Sequence, residues 1–274
     1  MFTRFLRSCF AGEPSLERYT EKMMIGGGSF STIVLAKDNL TEEKVVLKKA
    51  QNKAEKREIA AEYEILRSLD HPNIIKPMDF VDEGLGFMVL PFYMQDMYTR
   101  VVKKGPSDAE MKMIIKNMTS AMNYLHSLDI VHRDIKPENI LVNKDCSSVV
   151  LTDFGMAAHI STKPTNICGT LAYISPEVQN AARLLDFTGN IDWKKSDVFS
   201  LGVTFYTIYA FDFLFYMRKD DESITPSQAY IDNEINSSKC SDDLKDLLKK
   251  MICVDLNDRI SMADVAKHPY LISK

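Results

Sequence analysis

From Val131 to Leu141 the chain reads Val-His-Arg-Asp-Ile-Lys-Pro-Glu-Asn-Ile-Leu, and three of these side chains could serve one reaction. Asp134 carries a carboxylate able to receive a proton, Lys136 a cation two positions on, and Asn139 an amide oxygen suited to a hard metal ion. Phosphoryl transfer to a hydroxyl needs these three groups, since its catalysis is mostly positioning and charge stabilisation. Nineteen residues after Asp134 stand Asp153-Phe154-Gly155, preceded by the strand-like Val149-Val150-Leu151-Thr152. Asp153 is a candidate ligand for Mg2+ bridging the phosphates, and Gly155 is expected to supply the freedom to turn directly after it.

A second constellation lies upstream. Ile25-Gly26-Gly27-Gly28-Ser29-Phe30-Ser31-Thr32-Ile33 follows the pattern G-x-G-x-x-G-x-V, with Ser31 in place of the third glycine. By itself this is explained as well by a plain glycine-rich turn. A dinucleotide fingerprint would require a helix directly after the glycines, whereas Ile33-Val34-Leu35 reads as a strand. A hairpin tip folding over phosphates fits better, because backbone N–H groups approach oxygens only where no side chain intervenes. The chain contains no G-x-x-x-x-G-K-[ST] run, which disfavours a P-loop NTPase. Val45-Val46-Leu47-Lys48 ends a strand in a lysine, and a lysine in a partly closed cleft needs an acidic partner. Glu62, on the apolar-facing side of the following helix, is the candidate. Lys49 competes for that role, but strand alternation turns it to the opposite face.

The elements that must position these groups change character near residues 91–95. Before that point, strands are expected at Tyr19 to Ile25, Thr32 to Lys37, Val45 to Lys49, Ile74 to Val81 and Phe87 to Leu90. One helix interrupts them from about Ala54 to Leu69, and Asp70-His71-Pro72 ends it, since a residue before proline avoids helical dihedrals. Beyond residue 95 the period is helical. Ser107-Asp108-Ala109-Glu110 has capping-box spacing, and Met111, Ile114, Ile115, Met118, Ala121, Met122 and Leu125 follow as an apolar stripe. Leu244, Leu247, Leu248, Met251 and Ile252 repeat the pattern.

Bulk properties bound the function class. The 274 residues, 45% hydrophobic and 26% charged, can bury a sizeable core as one domain or two lobes. A net charge of -4 argues against a general nucleic-acid binder, which needs a basic surface. Five cysteines without a C-x-x-C pair fit a reducing compartment, cytoplasmic or nuclear. The apolar run Leu201 to Met217 is broken by Asp212 and reads as a buried helix rather than a membrane span. Residues 1–10 place Phe2, Phe5, Leu6, Cys9 and Phe10 on one helical face, either a membrane-surface attachment or a segment docked or frayed on the protein itself.

Taken in order, Gly26 to Ile33, Lys48, Glu62, His132 to Asn139 and Asp153 to Gly155 resemble the eukaryotic protein kinase family, serine/threonine type, over Tyr19 to Leu271. The catalytic domain looks broadly similar to the calcium/calmodulin-dependent group. Gly169-Thr170-Leu171-Ala172-Tyr173-Ile174-Ser175-Pro176-Glu177 resembles the end of that family's activation segment, with Ser175 in an alanine position. Asp197 to Gly202 looks like the start of its buried central helix, and Arg259 is similar to the arginine that pairs with the segment's glutamate, here Glu177.

The resemblance implies an α+β, bilobal fold: a small antiparallel sheet with one helix over residues 19–93, and a mainly helical lobe over 94–274. Residues 1–18 are an N-terminal extension of the kinase domain 19–271. It implies ATP with Mg2+ or Mn2+, Asp134 and Lys136 as catalytic residues, and Asn139 and Asp153 as metal ligands. The nucleotide-contacting set it implies is Ile25, Gly26, Gly27, Gly28, Ser29, Phe30, Ser31, Ile33, Val46, Lys48, Glu62, Leu90, Pro91, Tyr93, Asp96 and Leu141. Among these, Leu90 is the gatekeeper, Pro91 and Tyr93 offer their backbones to adenine, and Asp96 is a candidate for the ribose. Lys136 and Thr170 point to Ser or Thr as acceptor, and Met156 favours serine. Asp96 and Glu138 resemble acids that read basic residues upstream of the acceptor.

Arg133 resembles arginines that order the activation loop by pairing with phosphate. Ser161, Thr162 and Thr165 are the available sites for an upstream activating kinase, yet the usual spacing falls on Asn166. Val178 to Ile191 is longer than typical, either a docking element or a neutral loop extension. No C-terminal autoinhibitory helix is expected before Lys274. The expected partners are protein substrates and no nucleic acid, and the expected state is a monomer. The rival readings are a pseudokinase that binds nucleotide without turnover and a kinase of small molecules.

Overall fold

The computed structural model describes residues 16–28, 31–143, 146–184, 191–212, 214 and 227–272, so the apolar face of residues 1–10 lies outside the described residues. The chain divides into two compact units. One holds the described residues up to Asp70 together with Ile75–Phe92, the other His71–Ile74 and the described residues from Tyr93 onward.

In the smaller unit, β1 (Tyr19–Gly28), β2 (Ser31–Asp38), β3 (Lys44–Lys49), β4 (Asp79–Val81) and β5 (Phe87–Pro91) form one antiparallel sheet in the order β1-β2-β3-β5-β4. Alternation sends Val34, Ala36, Val45, Leu47 and Val89 to one buried face, where Tyr19, Val81 and Phe87 complete a core. Helix α1 (Lys53–Ser68) follows β3; the Asn52 side chain caps it by accepting from the Ala54 and Glu55 N–H groups. Its buried side carries Ile59, Glu62 and Leu66, and it stops at Leu69, just before Asp70-His71-Pro72.

One expected strand is shorter than its sequence pattern. Of Ile74 to Val81, only Asp79–Val81 joins the sheet, while Ile74 makes an isolated parallel bridge to Leu151 in the larger unit. Pro77 interrupts the run, having no N–H to donate to a ladder.

The larger unit is mostly helical. Its elements in chain order are β6 (Gln95–Asp96), α2 (Met97–Lys103), α3 (Asp108–Ser127), β7 (Ile130–Val131), β8 (Ile140–Val142), β9 (Val149–Leu151) and β10 (Ala158–His159). Then come α4 (Pro176–Leu184), α5 (Trp193–Ala210), α6 (Gln228–Ser237), α7 (Asp242–Met251), α8 (Met262–Val265) and α9 (Pro269–Ile272). Helix α3 opens with a complete capping box between Ser107 and Glu110, and the stripe from Met111 to Leu125 is buried. Most of α5 is buried on every side, as expected of a helix without a polar face. Gly202 lets α7 come close: a Cβ there would lie 2.8 Å from both Met251 and Ile252. The apolar run from Leu201 therefore enters the core as far as Ile208, and among the described residues no helix is long and apolar enough to cross a membrane. The stretch after Glu177, expected as either a docking element or a loop extension, is partly helical, because Val178 to Leu184 belong to α4 and bury Val178 and Gln179; residues 185–190 lie outside the described residues.

A polar network closes the edge of the small unit. Arg18 forks onto the buried Asp38 at 3.0 and 2.8 Å, and Asp38 also accepts from the Leu40 N–H at 2.9 Å. The Arg18 hydrogen bonds hold the Asp38 carboxyl below its usual range. Its stabilisation is therefore full above the unfolded carboxyl pKa of about 3.9 and is lost as pH falls through the lower folded value. We expect Arg18→Ala to cost roughly 1–3 kcal/mol at pH 7. Urea unfolding followed from pH 7 to pH 3 should show the gap between wild type and variant closing below about pH 4. A gap that stays constant across that range would contradict the assignment.

Candidate active site

The smaller unit holds an ion pair and a glycine strand. Lys48 Nζ stands 2.7 Å from Glu62 Oε2, with the two side chains 11% and 2% exposed, so α1 presents its acid directly to β3. Lys49, one residue on, points the other way and pairs with Glu21 on β1. Gly26 and Gly27 lie within β1, paired with Ile33 and Thr32 of β2. Ser29 and Phe30 lie outside the described residues, and Ser31 begins β2. Val46 is in β3, and Leu90 and Pro91 end β5.

The larger unit holds the loop from Val131 to Leu141, anchored from behind. Buried Asp197 in α5 accepts from the backbone N–H of His132 at 2.8 Å and of Arg133 at 2.9 Å, with His126 Nε2 3.1 Å away. Arg133 sits at φ 68°, a left-handed conformation that costs energy and that these two hydrogen bonds hold in place. The Asp134 N–H donates to His132 Nδ1 at 3.3 Å, which makes Nε2 the donor to the Thr152 carbonyl at 3.1 Å. The same ring meets the edge of Phe154 at a centroid distance of 4.8 Å.

In front of this frame the polar groups converge. Thr170 Oγ1 accepts from Lys136 Nζ at 2.8 Å and donates to Asp134 Oδ1 at 2.8 Å, while Lys136 lies 2.9 Å from Asp134 Oδ2. Asn139 Nδ2 donates to the Asp134 carbonyl at 2.8 Å and to its carboxylate at 3.1 Å, leaving Oδ1 as the amide's acceptor. Asp153 follows β9 at φ 61°. The left-handed residue is thus Asp153 itself and not Gly155, where the freedom to turn was expected; a short polar side chain tolerates that region. Mg2+ is usually bound through one or two carboxylates plus phosphates and water rather than a full protein cage, and the oxygens of Asn139 and Asp153 fit that demand.

The segment after Asp153 is tied back at several points. Ala158 and His159 pair with Val131 and Ile130, and Arg133 donates from Nε to the Met156 carbonyl at 2.7 Å. At its far end, Glu177 receives both terminal nitrogens of Arg259 at 2.8 and 3.0 Å. Arg259 is nearly fully buried, donates from Nε to the Cys253 carbonyl at 2.8 Å and lies over the Phe199 ring at 4.9 Å.

Within each unit, then, candidate residues meet: Lys48 with Glu62, and Asp134 with Lys136 and Asn139. Leu141 lies in β8, opposite Asp96 of β6. Tyr93 falls between β5 and β6. Asp96 is already engaged as the N-cap of α2, accepting from the Thr99 N–H at 2.7 Å and hydroxyl at 2.8 Å, which competes with a ribose for the same oxygens. The hydrogen-bonding role of Thr170, the buried acceptor Asp197 and the contact of Arg133 with Trp193 were not legible from spacing, because each joins residues 36 to 65 positions apart.

Residues 19–271 match the family described as protein kinase domain. Calcium-dependent protein kinase 3 of Plasmodium yoelii yoelii is 33% identical over 263 residues, covering 91% of this chain and 47% of its own. Myosin light chain kinase A of Dictyostelium discoideum is 31% identical over 269 residues, covering 93% of this chain and 88% of its own. The crystal structure of Rad53 1-466 in complex with AMP-PNP matches with a TM-score of 0.74 at 25% identity, over 93% of this chain and 66% of that one. The chain spans about half the length of the calcium-dependent kinases it matches, 46% to 49%.

Gly169, directly before Thr170, passes Arg133 at φ 108°, and a Cβ there would lie 2.7 Å from both the Arg133 carbonyl oxygen and Ile174 Cγ2. Gly169→Ala should therefore destabilise the fold by about 2 kcal/mol or more, read as a lower midpoint in chemical denaturation. An unchanged midpoint would mean that the segment can shift freely away from Arg133.

Proposed function

The chain belongs to the protein kinase domain family, and on that premise we propose that it transfers the γ-phosphoryl group of ATP to Ser or Thr hydroxyls of protein substrates. The observation that carries this reading is the hydrogen-bonded set Asp134, Lys136, Thr170 and Asn139, which gathers a base, a cation and a metal ligand at one point.

The proposed step has few parts. The substrate hydroxyl hydrogen-bonds to Asp134, which receives its proton as the oxygen bonds to the γ-phosphorus and the β–γ bond breaks to leave ADP. Lys136 neutralises charge on the transferring group, and its bond to Thr170 keeps the ammonium beside the carboxylate. Lys48, oriented by Glu62, is assigned to the α and β phosphates. Asn139 and Asp153 are assigned to Mg2+, or Mn2+ in its place, which when bound offsets the phosphate charge. Leu90, Pro91 and Tyr93 are assigned to adenine, with Ile25, Ile33, Val46 and Leu141 as its apolar surroundings. Proline is admissible there because the role given to Pro91 uses its carbonyl, and only the N–H is missing.

The presence of Lys48, Glu62, Asp134, Asn139 and Asp153 together speaks for turnover rather than binding alone. For the substrate sequence, a cluster of acids supports preference for basic residues upstream of the acceptor. Exposed Glu138 lies within electrostatic reach of Asp96 and Asp134, and the three like charges repel one another. An approaching arginine or lysine would relieve that repulsion. Ser161, Thr162 and Thr165 are candidate acceptors for an upstream kinase. Free cysteines at positions 146, 168, 240 and 253 support a cytoplasmic or nuclear location.

The test is Mg·ATP turnover on a degenerate peptide library, wild type beside Asp134→Asn. Loss of the base should slow transfer by about 10² to 10⁴. Equal, background-level rates in both proteins would sink the enzyme reading.

A further inference from the structure

Arg133 is 8% exposed, and among the described residues its guanidinium meets three neutral oxygens and an aromatic face. Nε donates to the Met156 carbonyl at 2.7 Å, while Nη1 donates to both the carbonyl and the side-chain Oδ1 of Asn166, at 3.2 and 2.9 Å. Cζ lies 5.2 Å from the centre of the Trp193 ring, and Trp193 Nε1 in turn donates to the Pro164 carbonyl at 3.2 Å. A buried cation is tolerated only when its donors are satisfied, and here a neutral asparagine satisfies one that an anion would otherwise take. The ring face adds attraction for the same charge.

Asn166 is well placed to influence the reacting groups, although it touches none of them. Arg133 adjoins Asp134, and its N–H is held by Asp197 at 2.9 Å. Four residues after Asn166 comes Thr170, which bonds Asp134 and Lys136, and between them Gly169 packs against the Arg133 carbonyl. Two attachments, Asn166 to Arg133 and Pro164 to Trp193, thus pin the segment just upstream of Thr170.

We propose that Asn166 is a positioning residue that orders Pro164 to Thr170 against Arg133, so that the segment is competent for transfer with Ser161, Thr162 and Thr165 unmodified. The inference rests on the kinase reading above and deepens it, since it specifies how that site is controlled. A phosphate on a neighbouring side chain would have to displace an amide oxygen already bonded to Nη1.

The experiment uses the full chain, treated with phosphatase and checked by intact mass for absence of phosphate. Its rate on the peptide library should stay within about twofold of untreated protein. Asn166→Ala should lower kcat by about tenfold, the equivalent of about 1.4 kcal/mol, with KM for ATP changed less than about twofold. Asn166→Asp should restore the rate, because a carboxylate oxygen can take the same hydrogen bond with added charge, whereas Asn166→Leu should not. Trp193 is the only tryptophan in the chain, so its fluorescence reports this contact directly. The emission should shift in Asn166→Ala and return in Asn166→Asp, independently of turnover.

Three results would overturn the proposal: dephosphorylated protein falling to the level of Asp134→Asn and recovering on phosphorylation, Asn166→Ala keeping the wild-type kcat, or Asn166→Asp remaining as slow as alanine. Absence of turnover in wild type, phosphorylated and not, is a different failure. It would remove the kinase reading, and this inference with it.

Discussion

One buried carboxylate holds the loop from Val131 to Leu141 in shape. Asp197 extends from the first turns of α5 and accepts two consecutive backbone N–H groups, those of His132 and Arg133. The two bonds fix the peptide units on either side of His132, and the chain turns directly after them, at the left-handed Arg133. Its consequence is directional. The backbone leaves the turn with Asp134 facing Lys136, Asn139 and Thr170, and the Arg133 side chain leaves it on another side, toward Met156, Asn166 and Trp193. Because α5 is buried almost throughout, the anchor has little freedom to move. The shape of the loop is thereby set by a residue outside the cluster of Asp134, Lys136 and Asn139.

The two units supply different physics. In the smaller one, a single ion pair fixes a lysine whose own charge would be costly at 11% exposure without Glu62 2.7 Å away. In the larger one, charges are balanced by a network in which every hydrogen bond has an assigned donor, from His132 through Asp134 to Thr170. Removing one member of such a network leaves a partner without its bond, so single substitutions there act on more than the residue changed.

Much of this was readable in the amino-acid order, and for identifiable reasons. Lys48 was separable from Lys49 because strand alternation is strictly twofold, and the structure gives Glu62 to the first and Glu21 to the second. The start of α3 was legible because a capping box is a local device of four residues. The strand read across Ile74 to Val81 was too long because apolar content outweighed Pro77, whose missing N–H decides the matter. The turn was placed on Gly155 because glycine is the cheapest left-handed residue, whereas Asp153 takes that conformation under tertiary constraint. The roles of Asp197, Trp193 and Thr170 depend on long-range approach, which no spacing rule encodes.

The fork between Glu177 and Arg259 spans 82 positions of sequence. Contacts that close loops of that size come with a large entropic cost before they return any energy, so they tend to form after local helices and hairpins. The end of the segment that carries Thr170 is therefore expected to be among the later parts of the molecule to settle. An interaction made late in folding is broken early in unfolding, and it weighs chiefly on how long the native state survives. Arg259, almost wholly out of contact with water, would on that account weigh on the lifetime of the folded form.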